Sequence, residues 1–194
     1  MAAPPTAESI ALLERLVAAL KVRGVVTEEE IAERIARTDR ASREIGARIV
    51  ARAWTEPSYR ALLLRDGSAA AEAEGVSMAG MPPLDVLEDT DTVDHLVVCT
   101  LCSCYPRAVL GYPPHWYKSA AYRARAVVDP RGVLAESGTV LPDGVEIRVV
   151  DSTADYCWMV LPQRPEGTEG WDARQLAAIV TRDALVGVTL PRVR

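Results

Sequence analysis

The 194-residue chain has no run approaching the roughly 18 consecutive apolar residues that a membrane helix needs. Nor does a basic segment followed by an apolar stretch come after Met1-Ala2-Ala3-Pro4-Pro5. Both absences predict a protein with no membrane span and no leader, for which the cytoplasm is the expected compartment. A basic patch is missing too. The 22 Lys and Arg residues are scattered among 27 Asp and Glu residues for a formal charge of -5, which argues against nucleic acid as a partner. Internal repeats and low-complexity segments are absent, and with 49% hydrophobic and 25% charged residues the chain can bury a core of one domain plus an extension. Cysteine is scarce and clustered: three of the four fall between positions 99 and 104, which is no disulfide framework of a secreted protein. Those three are expected to share one site.

What is present divides in two. From about 7 to 64 the pattern is helical. Ile10, Leu13, Leu16, Val17 and Leu20 recur at helical spacing and stop near Gly24, and Thr27 with Glu30 makes a capping-box pattern ahead of Ile31 and Ile35. Ile45, Ile49 and Ala53 with Trp54 form a third stripe; Asp66-Gly67 marks a turn, and Pro82-Pro83 interrupts any continuation. From about 93 onward short β-branched runs alternate with turn residues. Val145, Ile147 and Val149 predict a half-buried strand, Cys157 to Leu161 a second one ended by Pro162, Asp172 to Arg182 a helix, and Leu185-Val186-Gly187-Val188 a closing strand. The predicted class is α+β: a helical N-terminal arm over 1–87, then a compact α/β domain over 88–194, with the boundary near Leu87.

The apolar run Leu96-Val97-Val98 leads into Cys99-Thr100-Leu101-Cys102-Ser103-Cys104, and Pro106 with Pro113-Pro114 prevents regular structure just beyond. A Cys-x-x-Cys pair alone would be a weak signal, since zinc ribbons and thioredoxin-like motifs also use it. The third cysteine changes the geometry. With one residue between Cys102 and Cys104, a metal held by both sulfurs lies against the backbone nitrogens of Ser103 and Cys104. Three sulfurs and two amides make a square pyramid, which suits a trivalent octahedral ion and leaves a sixth position open. A structural zinc would need a fourth side chain from Cys157, His95 or His115. That alternative, a redox dithiol and a set of inert buried thiols all remain open from spacing alone. Cys157 reads as a core cysteine on a strand, and neither histidine is assigned a role.

Val98-Cys99-Thr100-Leu101-Cys102-Ser103-Cys104 resembles the metal-binding signature of nitrile hydratase α subunits. The likeness extends to Gly46-Ala47-Arg48-Ile49-Val50-Ala51-Arg52-Ala53-Trp54, Val109-Leu110-Gly111 and Pro113-Pro114-His115-Trp116-Tyr117-Lys118. It continues through Leu161-Pro162-Gln163-Arg164-Pro165-Glu166-Gly167-Thr168, Val180-Thr181-Arg182-Asp183 and Gly187-Val188, so it covers nearly the whole chain. Tyr105-Pro106-Arg107-Ala108 is closer to the thiocyanate hydrolase γ subunit, a relative with the same signature.

The resemblance implies a non-corrin cobalt(III), or in a sister group iron(III), on the sulfurs of Cys99, Cys102 and Cys104 and the amides of Ser103 and Cys104. Thr100 is the residue of the cobalt group. It further implies Cys102 as a sulfinic acid, Cys104 as a sulfenic acid and Cys99 as a plain thiolate. The implied activity is hydration of a nitrile to its amide, in which the Cys104 sulfenate oxygen, or a water it activates, attacks the nitrile carbon and Ser103 orients water or substrate. Trp116, Tyr117 and Arg107 are candidates for the substrate pocket. A formal charge of roughly -2 at such a centre is costly in a dry pocket, so a β-type subunit supplying two arginines is implied, together with a cobalt-loading activator protein. Hydrolysis of thiocyanate is the alternative activity, and a non-catalytic metal or redox module is the alternative class.

Overall fold

The computed structural model describes residues 6–40, 42–102 and 104–193, without the side chains of residues 37–40. Ser103 lies outside the described residues. The chain divides into two units, Met1–Arg40 and Ala41–Arg194. The first holds α1 (Ala7–Val22) and α2 (Glu28–Arg40). Thr6 caps α1 by accepting from the Ser9 amide at 3.2 Å, and Gly24, at φ 66°, ends it. The predicted capping box is present: the Thr27 amide donates to Glu30 at 2.8 Å and the Glu30 amide to Thr27 Oγ1 at 3.1 Å. Yet α1 buries no residue, and Ile10, Leu13 and Leu16 are all exposed.

The second unit begins before Leu87 because three helices ahead of that point share the core of the strands. They are α3 (Arg43–Thr55), α4 (Pro57–Arg65) and α5 (Gly67–Ala73). Helix α3 buries Ile49, Val50 and Ala53, and its Gly46 lies so close to Leu110 and Leu185 that a Cβ there would meet their methyls at 2.6 and 2.7 Å. Trp54 packs on the same core and donates its indole N–H to Pro162 O at 2.8 Å. The Asp66-Gly67 turn joins two helices, with Asp66 capping α5.

Four strands form two parallel pairs: β1 (Leu84–Glu88) with β4 (Cys157–Leu161), and β2 (Val93–Val98) with β3 (Glu146–Asp151). Strand β2 is buried from Asp94 to Val98. The register sets Val98 opposite Asp151, so the exit of β2 lies beside the end of β3. Between β2 and β3 in sequence run α6 (Arg107–Leu110), α7 (His115–Lys118), α8 (Ala120–Val128) and α9 (Pro130–Glu136), and α10 (Ala173–Ile179) follows β4. The helix predicted over 172–182 is shorter, because its Asp172–Gln175 capping box starts it but Val180 is already extended.

The closing segment corrects one expectation. Ala184–Val186 is a 3-10 turn rather than a strand, ended by Gly187 at φ 79°. A Cβ at Gly187 would collide with the carbonyl of His95, so only glycine lets this turn press against β2. The apolar run is there to fill the core, and Ala184, Leu185 and Val186 are fully buried.

Candidate metal centre

Strand β2 delivers Cys99 into the interior at 1% exposure, whereas Cys102 is exposed and Cys104 half-buried. Cys99 Sγ lies 3.3 Å from Cys102 Sγ, and Cys102 Sγ lies 3.1 Å from Cys104 Sγ. All three sulfurs fall within 4.8 Å of one another. None of the three is in a disulfide, and no fourth histidine, cysteine or carboxylate joins them among the described residues. Bonds of about 2.3 Å at tetrahedral angles separate sulfurs by about 3.8 Å, whereas the same bonds at right angles separate them by about 3.3 Å. The Cys99–Cys102 and Cys102–Cys104 edges are nearer the right-angled spacing, so these sulfurs fit a right-angled donor set.

Cys157 and His95 are elsewhere. His95 is buried and spends its backbone N–H and Nδ1 on Asp89 Oδ1, at 2.9 and 3.1 Å, so it is a satisfied core histidine. Cys157 is buried at the start of β4, and burial pushes its thiol up to about 11. His115 is exposed on α7. Burial, followed by the neighbouring Cys102 and Cys99 sulfurs, pushes the Cys104 thiol up to about 12. As a bare thiol Cys104 therefore keeps its proton at neutral pH, and a cation must expel it to bind there.

The backbone around the sulfurs is held from a distance. The Thr100 N–H donates to Asp151 Oδ1 at 3.0 Å and its hydroxyl to Asp151 Oδ2, while Arg123 Nη1 donates to Thr100 O at 3.2 Å. Tyr117 donates its hydroxyl to Cys104 O at 2.9 Å, and Tyr122 donates to Val97 O at 2.7 Å. Behind the loop, the Tyr105, Tyr117, Tyr122 and Trp116 rings meet mostly edge to face, Tyr105 to Tyr117 at 5.0 Å and Trp116 to Tyr122 at 4.8 Å. Tyr117, expected as a pocket wall, is instead fully buried and braces the loop. Trp116 borders a cavity of about 420 Å³ shared with Ser119, Tyr122, Val133 and Asp183, which none of Cys99, Cys102 and Cys104, the three sulfurs of the metal claw, lines. Arg107, at the start of α6, is exposed, with its guanidinium 6.0 Å from the Tyr112 ring centroid.

Asp151, Arg123 and Tyr122 were not singled out from sequence. Only Asp151 had a usable signal, and that signal needs the β2–β3 register to be known.

A chain that gathers three sulfurs at right-angled spacing on a loop leaving a buried parallel strand is a metal-binding α+β protein. Residues 7–189 match the family described as nitrile hydratase, alpha chain, and this chain belongs to it. The low-molecular-weight cobalt-containing nitrile hydratase subunit alpha of Rhodococcus rhodochrous is 55% identical over 76% of this chain and 72% of that one. A nitrile hydratase subunit alpha of a Rhodococcus species is 45% identical over 95% and 94% of the two chains. The thiocyanate hydrolase subunit gamma of Thiobacillus thioparus is 51% identical over 75% of this chain and 65% of that one. Among solved structures, a recombinant thiocyanate hydrolase with partially modified cobalt centres superposes at TM-score 0.89, with 42% identity, over 97% of this chain and 92% of that one. A double mutant of the Fe-type nitrile hydratase of Comamonas testosteroni Ni1 gives TM-score 0.87 and 39% identity over the same shares.

Proposed function

We propose that this chain is the metal-carrying subunit of a cytoplasmic, cobalt-dependent nitrile hydratase. Cys99, Cys102 and Cys104 would hold the ion through sulfur, and Ser103 and Cys104 through their amide nitrogens. The observation that carries this reading is the pair of S···S edges at 3.1 and 3.3 Å, in a cluster of three soft donors with no fourth histidine, cysteine or carboxylate among the described residues. Thr100 and the cobalt-containing relatives support cobalt over iron.

When bound, the trivalent ion supplies Lewis acidity toward the nitrile nitrogen. The remaining work falls to the chain. Buried Cys99 anchors the loop as a thiolate, and exposed Cys102 is the sulfur open to oxidation to the sulfinate. Cys104, as the sulfenate, would take a proton from a water as that water's oxygen bonds the nitrile carbon and one C–N π bond breaks; the proton passes to the nitrogen, and the O–H proton of the resulting imidic acid follows it to give the amide. If the sulfenate oxygen itself bonds the carbon, its S–O bond must break in turn, with a water supplying the oxygen that restores the sulfenate and the two protons that end on nitrogen. The Tyr117 hydroxyl, fixed on Cys104 O, keeps that sulfur from swinging away. Ser103 is the hydroxyl assigned to orient water or substrate.

A β-type partner is part of the reading. The oxidised claw needs cations that the described cluster lacks, and the exposed Ile10, Leu13 and Leu16 of α1 are apolar surface in need of a cover. A cobalt-loading activator protein is a further expected partner.

A second reading is favoured by Arg107. This exposed cation, three residues beyond Cys104, has no ion-pair partner among the described residues and could draw an anion such as thiocyanate to the site.

The test is to co-express the chain with its β-type partner in cobalt-supplemented medium. About one cobalt per chain, a sulfur-to-cobalt charge-transfer band, two added oxygens on Cys102 and one on Cys104 are expected, with turnover of nitriles and none by the lone chain. Zinc at one equivalent, or full activity with unmodified thiols, would overturn the assignment. Turnover of thiocyanate alone, abolished in Arg107→Trp, would move it to the second reading.

A further inference from the structure

Arg123 is out of keeping with its surroundings. It lies on α8, half-buried, with its Nε buried and without a hydrogen-bond partner. No carboxylate among the described residues pairs with it. Its one hydrogen bond there runs from Nη1 to the carbonyl of Thr100, inside the claw. The neighbouring Thr100 N–H and hydroxyl are already taken by Asp151. Guanidinium groups withdrawn from water are normally paired with an anion, because desolvating the charge is costly. The anion this arginine lacks is one the bare thiols do not provide.

Resting on the metal-claw reading above, we infer that Arg123 is this chain's own counter-charge to the claw. It is a positioning residue that holds the Thr100 carbonyl and offsets the negative charge the sulfurs and amides acquire on metal binding. Asp151 and Arg123 then grip Thr100, one on its donors and one on its acceptor, so the residue after Cys99 is held at three atoms. This cation is built into the fold and is present before any partner docks. It is distinct from the arginines expected of a β-type subunit and from exposed Arg107, which does not touch the loop's backbone beyond Tyr105.

The test uses the cobalt-loaded complex with its partner and compares the parent with Arg123→Gln and Arg123→Lys. The readouts are cobalt per chain, the rate of cobalt loss to a chelator and the position of the charge-transfer band, with unfolding of the metal-free chain as the structural control. Removing the charge in Arg123→Gln is expected to speed cobalt loss by about tenfold or more and to shift the band, while lysine, which keeps the charge and a donor, stays within about threefold of the parent. If Arg123→Gln matches the parent in cobalt loss and band, and differs only in stability, the inference is overturned. Should Arg123→Gln not assemble, Arg123→Lys decides: retention near that of the parent supports a charge role, and loss of about tenfold refutes it. A parent complex that takes up no cobalt would instead sink the metal-claw reading itself, which is a different result from a cobalt-replete parent with indifferent variants.

Discussion

Strand β2 carries ionisable groups at both ends, and the two ends treat them differently. At its exit, three thiols crowd together, but the polar backbone around them is tied down by Asp151, Arg123, Tyr117 and Tyr122. At its entry, Asp94 and His95 are buried with Asp89, and there one carboxylate is committed to His95 while the Asp94 carboxylate has no hydrogen bond among the described residues. The exit fixes the frame and leaves the sulfurs free to change charge. The entry merely tolerates charge. A strand can thus present reactive groups at one end because the backbone there is held by side chains outside the sulfur cluster.

The largest effect is expected where the strand is clamped from outside. Gly187 presses on the His95 carbonyl, at a φ that disfavours a side chain. Gly187→Ala should therefore cost more than about 3 kcal/mol, a large part of ordinary domain stability, and reduce the soluble yield. Gly144→Ala is the control, since nothing lies within 4 Å of its Cβ position, and it should stay within about 0.5 kcal/mol. Equal urea midpoints for the two variants would show that the turn does not clamp the strand.

Next in size is a test of the entry. Burial, reinforced by the Asp89 charge and opposed by His95, raises the Asp94 carboxyl to about 7. Unfolded, it titrates near the ordinary value of about 4. Between these values the folded chain binds more protons than the unfolded chain, so stability falls as pH rises through that window and stays low above it. Asp94→Asn removes this slope. It should stabilise the chain by about 2 kcal/mol at pH 8, after allowing for an amide that inherits the unpaired site, and change little at pH 4. A variant whose melting temperature tracks the parent at every pH would mean that Asp94 is solvated and that the two ends are less different than they look.

Much of this was legible in the sequence where the controlling bonds are local. The Thr27–Glu30 box, the Asp172 cap and the edges of β4 depend on neighbours within a few residues, and they fall where the pattern put them. The cysteine spacing likewise brings its three sulfurs together. What sequence could not give is what lies across the fold. The membership of α3 to α5 in the strand-bearing unit depends on faces meeting Leu110, Leu185 and Pro162, and the apolar run at 185–188 turns because Gly187 meets a strand some ninety residues away by about the count in the chain. Tyr117 reads from the resemblance as a pocket candidate. Its burial comes from the Tyr105 and Tyr122 rings.

The smallest effect separates holding the strand from holding the claw. Tyr117 and Tyr122 are buried tyrosines with tilted rings 5.7 Å apart, and each donates one hydroxyl bond to a backbone carbonyl. Deleting either hydroxyl removes one neutral hydrogen bond, so Tyr117→Phe and Tyr122→Phe should each cost about 1 kcal/mol in urea unfolding. Their consequences for the sulfurs should differ. Tyr122 grips Val97, inside the β2–β3 ladder, where the neighbouring strand bonds remain. Tyr117 grips Cys104 itself, beyond the ladder, where its hydroxyl is the bond holding that carbonyl among the described residues. In the metal-free chain, alkylation of Cys104 followed by mass mapping should therefore speed up about fivefold in Tyr117→Phe, the kinetic equivalent of about 1 kcal/mol of local opening, and remain near the parent rate in Tyr122→Phe. Equal rates in the two variants would mean that the loop is held by the aromatic packing alone, and the hydroxyl on Cys104 O would lose its place in the frame.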